Sequence, residues 1–189
     1  MLDVFRHKFE TQPELKFKIS IVHGNMANFS FNRKFSLVIA PFRAFQALTD
    51  DNDIANSLKC IKEHLTDDGL FIVNVFNPRP VMDESWCYPE TVQWERFDEE
   101  TGNYVVKTHW GDNIDTKNQI IYSHCGFNVT DKNGKTTRVT DDFKLKYYYR
   151  DQIESIIEKA GFTIKERFGW YNKNPIETDR REIILVCGK

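Results

Sequence analysis

"FSLVIAPFRAFQALTDDNDIANSLKCIKEHLTDDGLFIVNVF", Phe35 to Phe76, contains the pattern that decides the fold. The first run, "FSLVIAPF", and the last, "LFIVNVF" from Leu70 to Phe76, are apolar without alternation, as strands buried on two faces are. Between them, Ile54, Leu58, Ile61 and Leu65 recur at helical spacing, and Thr49 or Asp50 stands where a cap belongs. Acids fill the first turn, and Asp67, Asp68 and Gly69 are placed to end the helix. Strand, helix and strand with short joints predict a crossover that sets the two strands side by side and parallel.

Upstream, "KISIVHGNMANFSF" (Lys18 to Phe31) begins as a third buried strand through Ile19, Ile21 and Val22. The opening "MLDVFRHKFE" reads as a helix, with Leu2, Phe5 and Phe9 on one face and Gln12, Pro13 and Glu14 as its breakers. Downstream, Thr91 to Tyr149 reads as a meander of longer amphipathic strands. Gly102–Asn103 and Asn133–Gly134 supply turns, and Ile121, Ser123, Cys125, Phe127 and Val129 alternate. The α/β pattern resumes in "RDQIESIIEKAGF", with Ile153, Ile156, Ile157 and Ala160 on one face and Gly161 as its stop. "FTIKERFGWY" and "REIILVCGK" predict a closing antiparallel hairpin. The expected architecture is one α/β domain over 1–189, mostly parallel, interrupted by an antiparallel β lid over 86–149.

Composition narrows the function. Lys and Arg number 26 against 28 Asp and Glu, a net charge of -2, which gives no basic face for nucleic acid. Asp141 and Asp142 also sit beside the one stretch that mixes aromatic and basic residues, "FKLKYYYR". No run of ~18 apolar residues predicts a membrane span, and the N-terminus lacks the layout of a secretory signal. Cys60, Cys87, Cys125 and Cys187 form no closely spaced pair, so no metal site is predicted and a reducing, cytoplasmic setting is.

Ligands of open α/β sheets bind beyond the carboxyl ends of the parallel strands. Three such ends are expected: His23 to Asn28, Ala40 to Phe45, and Asn74 to Arg79. Asn25 carries an amide that both donates and accepts, as an adenine edge requires. Met26 offers a thioether to a flat ring, and Gly24 permits close backbone approach. Ala40, Pro41 and Phe42 add a free carbonyl, a rigid ring and an apolar wall.

These strand ends, their order and the "LTDDG" joint resemble class I S-adenosylmethionine-dependent methyltransferases. The resemblance runs over "MLDVFRHK", Lys18 to Pro78 and the C-terminal helix and hairpin. It implies S-adenosylmethionine as cofactor, with Gly24, Asn25 and Met26 facing its adenine and Ala40, Pro41 and Phe42 facing its methionine portion. It also implies a lid over a small-molecule acceptor. From that lid, His109, His124, Tyr147 and Tyr148 are the candidate acid–base residues, and Trp86, Trp94 and Trp110 the candidate pocket walls.

The resemblance has a gap. It aligns "MLDVFRHK" with the helix after the family's second strand, and no GxGxG occurs in the 189 residues. The family's first strand, glycine-rich loop and ribose-gripping acid therefore have no counterpart here. A sheet lacking its central strands implies a partner for the open edge, for which a homodimer, strand-exchanged or tightly paired, is the expectation. Two function classes stand side by side: a methyltransferase, or a non-catalytic binding or dimerisation module that keeps the fold without the cofactor.

Overall fold

The computed structural model describes residues 2–11, 18–178 and 180–189, with the side chains of 9–11 outside the description. The predicted helix breakers at 12–14 and the side chain of Phe9 therefore lie outside the described residues. Helix α1 (Leu2–Thr11) leaves Val4 62% and Phe5 47% exposed.

The α/β unit forms as the sequence requires. Strand β1 (Phe35–Ala40), helix α2 (Asp51–His64) and strand β2 (Leu65–Phe76) make the parallel crossover. Asp50 is the cap, its carboxylate accepting from the Asn52 and Asp53 amides, so Thr49 is not used. Ile54, Leu58 and Ile61 face the core. The helix ends earlier than expected, at His64. Thr66 to Gly69 are taken into β2 as an irregularity, because the β1 partners step from Phe35↔Leu65 directly to Leu37↔Leu70.

Helix α3 (Arg150–Lys159) packs beside α2, contributing Ile153 and Ile157 to the same core. Strands β7 (Thr163–Phe168) and β8 (Glu182–Gly188) form the antiparallel hairpin, and β8 inserts beside β2 to give the order β1-β2-β8-β7. Phe71, Val73, Val75, Ile183 and Leu185 meet the helices on one face of this sheet.

Two expectations need correction. Ile19 to Val22 is not a strand: its only neighbour with ladder character is an isolated bridge between Asn25 and Asn28. Only one of the three pairings in the core sheet is parallel, so the described sheet is not mostly parallel. One physical cause underlies both. A strand forms against a neighbour's backbone groups, and the segment 18–33 has no described neighbour to pair with. The expectation that β1 is buried on two faces fails with it: Leu37 and Ile39 are 50% and 56% exposed on the face without helices.

The lid is a separate antiparallel sheet of β3 (Tyr88–Asp98), β4 (Asn103–Asp115), β5 (Ile120–Thr130) and β6 (Thr136–Lys146), paired in sequence order. Gly102 and Gly134 turn its hairpins at φ +73° and +81°, where a side chain is strained. Phe76, Met82, Ile121 and Tyr147 form the apolar seam between lid and core. Gln46, fully buried, stitches the two together: its Nε2 donates to the Lys146 carbonyl (2.8 Å) and its Oε1 accepts from the Phe76 amide (2.9 Å).

Candidate functional site

The backbone turns sharply at the end of β1. After Ala40 and Pro41, Phe42 and Arg43 both take left-handed conformations, at φ 54° and 63°. Such conformations cost non-glycine residues free energy and persist only where their surroundings impose them. Here the surroundings are a polar cluster built on the buried Asn74 and Glu182. Asn74, 2% exposed at the end of β2, accepts the Arg43 amide at 2.9 Å and the Tyr171 hydroxyl at 3.2 Å through Oδ1. Its Nδ2 donates to Glu182 at 2.6 Å, and Glu182 in turn receives Nε and Nη2 of Arg43 at 3.1 and 2.5 Å. Three distant segments thus hold one corner. Phe42 is pushed outward, 87% exposed at the rim of the sheet.

The second rim lies at 22–31. Asn25 spends one carbonyl lone pair on the Ala27 amide (2.9 Å), which closes a local turn and seats Ala27 in the core. Among the described residues no other partner engages its Nδ2 or the second lone pair that an amide oxygen carries. Gly24 is not demanded by crowding, for nothing lies within 4 Å of where a Cβ would stand. His64 anchors the loop. Its Nδ1 donates to the Cys60 carbonyl at 2.7 Å and its Nε2 accepts from the Phe31 amide at 2.8 Å, with Phe29 and Phe31 against the ring. A cavity of about 550 Å³ opens here, bordered by Gly24, Asn25, Met26, Leu37 and Val38. Ala40, Pro41 and Phe42 do not border it, so the six sequence-derived positions fall into two neighbouring rims of β1 rather than one pocket.

The lid candidates separate by face. His109 lies on the face toward the core, in a row with Cys125, its Nδ1 3.0 Å from the Tyr88 hydroxyl. His124 lies on the opposite face, stacked on Trp110 (centroids 5.1 Å, 11° between planes). Its Nδ1 is 2.6 Å from Asp142, and its Nε2 is 2.9 Å from Asp112 at an angle outside hydrogen-bond geometry. The Asp142 hydrogen bond, then Asp112, raises its pKa above the ordinary value. Tyr147 is 2% exposed in the seam against Phe76, and desolvation raises its pKa. Tyr148 is buried in the α/β core with its hydroxyl unpaired. Trp86 stacks on Phe76 at 5.4 Å. Among the described residues no group of three His, Cys, Asp or Glu side chains converges to hold a metal, and all four cysteines are free. No described helix is long and apolar enough to cross a membrane.

The His124 shift makes a pH prediction. A folded pKa above the unfolded value of about 6.5 means the charged ring stabilises the lid fully below that pH. That contribution is lost as pH rises through the folded value. The His124 Cε1 proton resonance should titrate with a midpoint above 6.5, and Asp142→Asn should lower it. A wild-type midpoint at or below 6.5 contradicts the arrangement.

No family sequence model matches the chain, and no curated protein sequence does either. Solved structures do. An S-adenosylmethionine-dependent methyltransferase from Clostridium acetobutylicum superposes with TM-score 0.79 at 18% identity, over 99% of this chain and 70% of its own.

The fold is a methyltransferase fold.

The CcbJ methyltransferase of Streptomyces caelestis agrees, with TM-score 0.68 and 19% identity over 88% of this chain and 62% of its own. So does CalS10, an amino pentose methyltransferase from Micromonospora echinaspora, with TM-score 0.62 and 17% identity over 87% and 62%. The chain thus spans between 62% and 70% of the length of these three structures. The Arg43–Asn74–Glu182 cluster was not legible in the sequence. Its only signal was a polar Asn74 inside an otherwise apolar strand.

Proposed function

We propose that this chain carries the adenine-side rim, the methionine-side corner and the acceptor lid of an S-adenosylmethionine-dependent methyltransferase acting on a small molecule. The observation that carries the reading is the corner at Phe42 and Arg43, held left-handed by Asn74 and Glu182 beyond a parallel strand of a methyltransferase fold. CalS10 was solved with S-adenosylmethionine bound, which supports the choice of cofactor.

The residues fit one half of that cofactor. Asn25 retains a donor and a lone pair for an adenine edge, and Met26, 38% exposed, offers its thioether beside the 550 Å³ cavity. The backbone of Ala40 to Phe42 is placed for the methionine portion. When bound, the cofactor supplies an electrophilic methyl group on a sulfonium. The protein's own part is then orientation and exclusion of water, which Gln46 serves by fixing the lid seam over the strand ends. His109, toward the core beside Tyr88, is the lid residue placed to take a proton from an acceptor.

The other half of the cofactor needs polypeptide that these strands do not supply. The outer edge of β1 has no described partner, and Leu37 and Ile39 are exposed on the helix-free face beside it. An apolar unpaired edge is a template for further strands. In the proposed assembly a second copy covers that edge, as a homodimer.

Calorimetric titration of S-adenosylmethionine into the 189-residue chain, with light scattering in the same buffer, tests this. Micromolar affinity is expected, and Asn25→Ala should weaken it about tenfold, the equivalent of one hydrogen bond. Absence of binding up to millimolar ligand would favour the non-catalytic binding module, the reading suggested by the lack of any GxGxG stretch in the 189 residues.

A further inference from the structure

A cavity of about 340 Å³ lies between the lid and the ends of β1 and β2, apart from the rim at Asn25. Its walls are apolar: Phe76, Trp86, Ile121, Phe143 and Leu145 contribute from both sheets. Its polar lining residues are Arg43, Tyr88, Gln93, Lys107, His109, Ser123, His124 and Cys125, with no carboxylate among them; the His124 ring itself is engaged with Asp112 and Asp142 on the other face of the lid.

The two cations differ. The charge of Arg43 is matched by Glu182, whose carboxylate it holds through Nε and Nη2. Lys107 has no such match. It is half-buried on the core-facing side of β4, its ammonium lies 5.6 Å from the Phe127 centroid, and among the described residues no carboxylate pairs with it. Asp141 shares that face, but in the Cys125 row on the outer strand β6, and it does not line the cavity. Asp112 and Asp142 are engaged with His124 on the far face. An ammonium at an apolar cavity without a counter-ion attracts an anion more strongly than one in open water, because low surrounding polarity weakens screening.

We propose that this cavity is the acceptor site and that it takes a small apolar carboxylate, its hydrocarbon body between Trp86, Phe143 and Leu145 and its carboxylate on Lys107. The proposal rests on the methyltransferase reading and deepens it by naming the acceptor class. A single unmatched cation suits a monoanion; a phosphate dianion would call for a second. The volume is at the small end of the range for ligand pockets, which matches a small metabolite rather than a polymer. Tyr88, hydrogen-bonded to His109, and the Ser123 hydroxyl complete the polar side. Lys107 is then a specificity-determining residue rather than a catalytic one.

The probes are benzoate and its neutral counterpart benzamide, titrated without cofactor and followed by amide shifts of Lys107, His109 and Ser123. Benzoate should move these resonances with an affinity at least about tenfold above that of benzamide. Lys107→Met should abolish the difference while its spectrum elsewhere stays that of the wild type, and added salt should weaken benzoate alone. Equal affinities, a preference that survives Lys107→Met, or no shift with either probe at millimolar concentration would overturn the proposal. Because no S-adenosylmethionine is involved, failure here is distinguishable from failure of cofactor binding.

Discussion

Replacing Asn74 by Ala should lower stability by about 3 kcal/mol, since it strips partners from the Arg43 amide, the Tyr171 hydroxyl and the Glu182 carboxylate together. Each buried polar group left unpaired costs ~1–3 kcal/mol, and solvent can reach Tyr171 and Arg43, which keeps the sum toward the low end. For a chain of this size that corresponds to a fall in Tm of roughly 10 °C. The second readout is local. With nothing to hold the left-handed pair, the Arg43 amide should exchange with solvent far faster, whereas core amides such as that of Val73 should change only with global stability. Unchanged exchange at Arg43 would show that the corner is held by something other than Asn74.

Gln46→Leu should produce an effect of similar size with a different signature. The substitution keeps bulk but leaves the Phe76 amide and the Lys146 carbonyl without their partner at a fully buried position. The expected loss is about 2–4 kcal/mol. It should fall on the joint between the two sheets, since Gln46 is bonded to β2 on one side and β6 on the other. Protease cleavage in 77–87 and 147–149, where the chain passes between lid and core, should accelerate more than cleavage within the lid hairpins. Uniform acceleration would mean that lid and core unfold as one unit and that Gln46 is not a joint.

Much of the fold was written locally. The β1–α2–β2 crossover, the lid hairpins and the closing β7–β8 pair follow from patterns within a few dozen residues, and local patterns survive whatever their surroundings. Ile19 to Val22 shows the limit of that logic. Its composition is that of a strand, but a strand is a pairing, and no described strand stands beside it. The end of α2 illustrates a smaller version: Asp67 to Gly69 look like a stop signal, yet β2 begins at Leu65 because Phe35 is there to pair with it.

The site divides in the same way. Asn25, Met26 and Ala40 to Phe42 stood out in the sequence at expected strand ends, of which only the one before Pro41 is a strand in the fold. What fixes Phe42 and Arg43 was not, because Glu182 is 139 positions from Arg43 and reaches it only once β8 has inserted beside β2. The separation of His109 from His124 depended on strand register, which alternation alone suggests but does not set. Lys107 was one lysine among many until the lid face brought it to an acid-free cavity.

The central claim is that the two rims beside β1 receive one S-adenosylmethionine molecule. Amide and side-chain resonances of the protein, recorded while S-adenosylhomocysteine is added, test it most directly. The account predicts concerted shifts at the Asn25 side-chain amide, at Met26 and at the backbone of Ala40, Phe42 and Arg43, saturating at one common concentration. Shifts confined to other surfaces, or none in a protein whose β1 edge is paired, would contradict it.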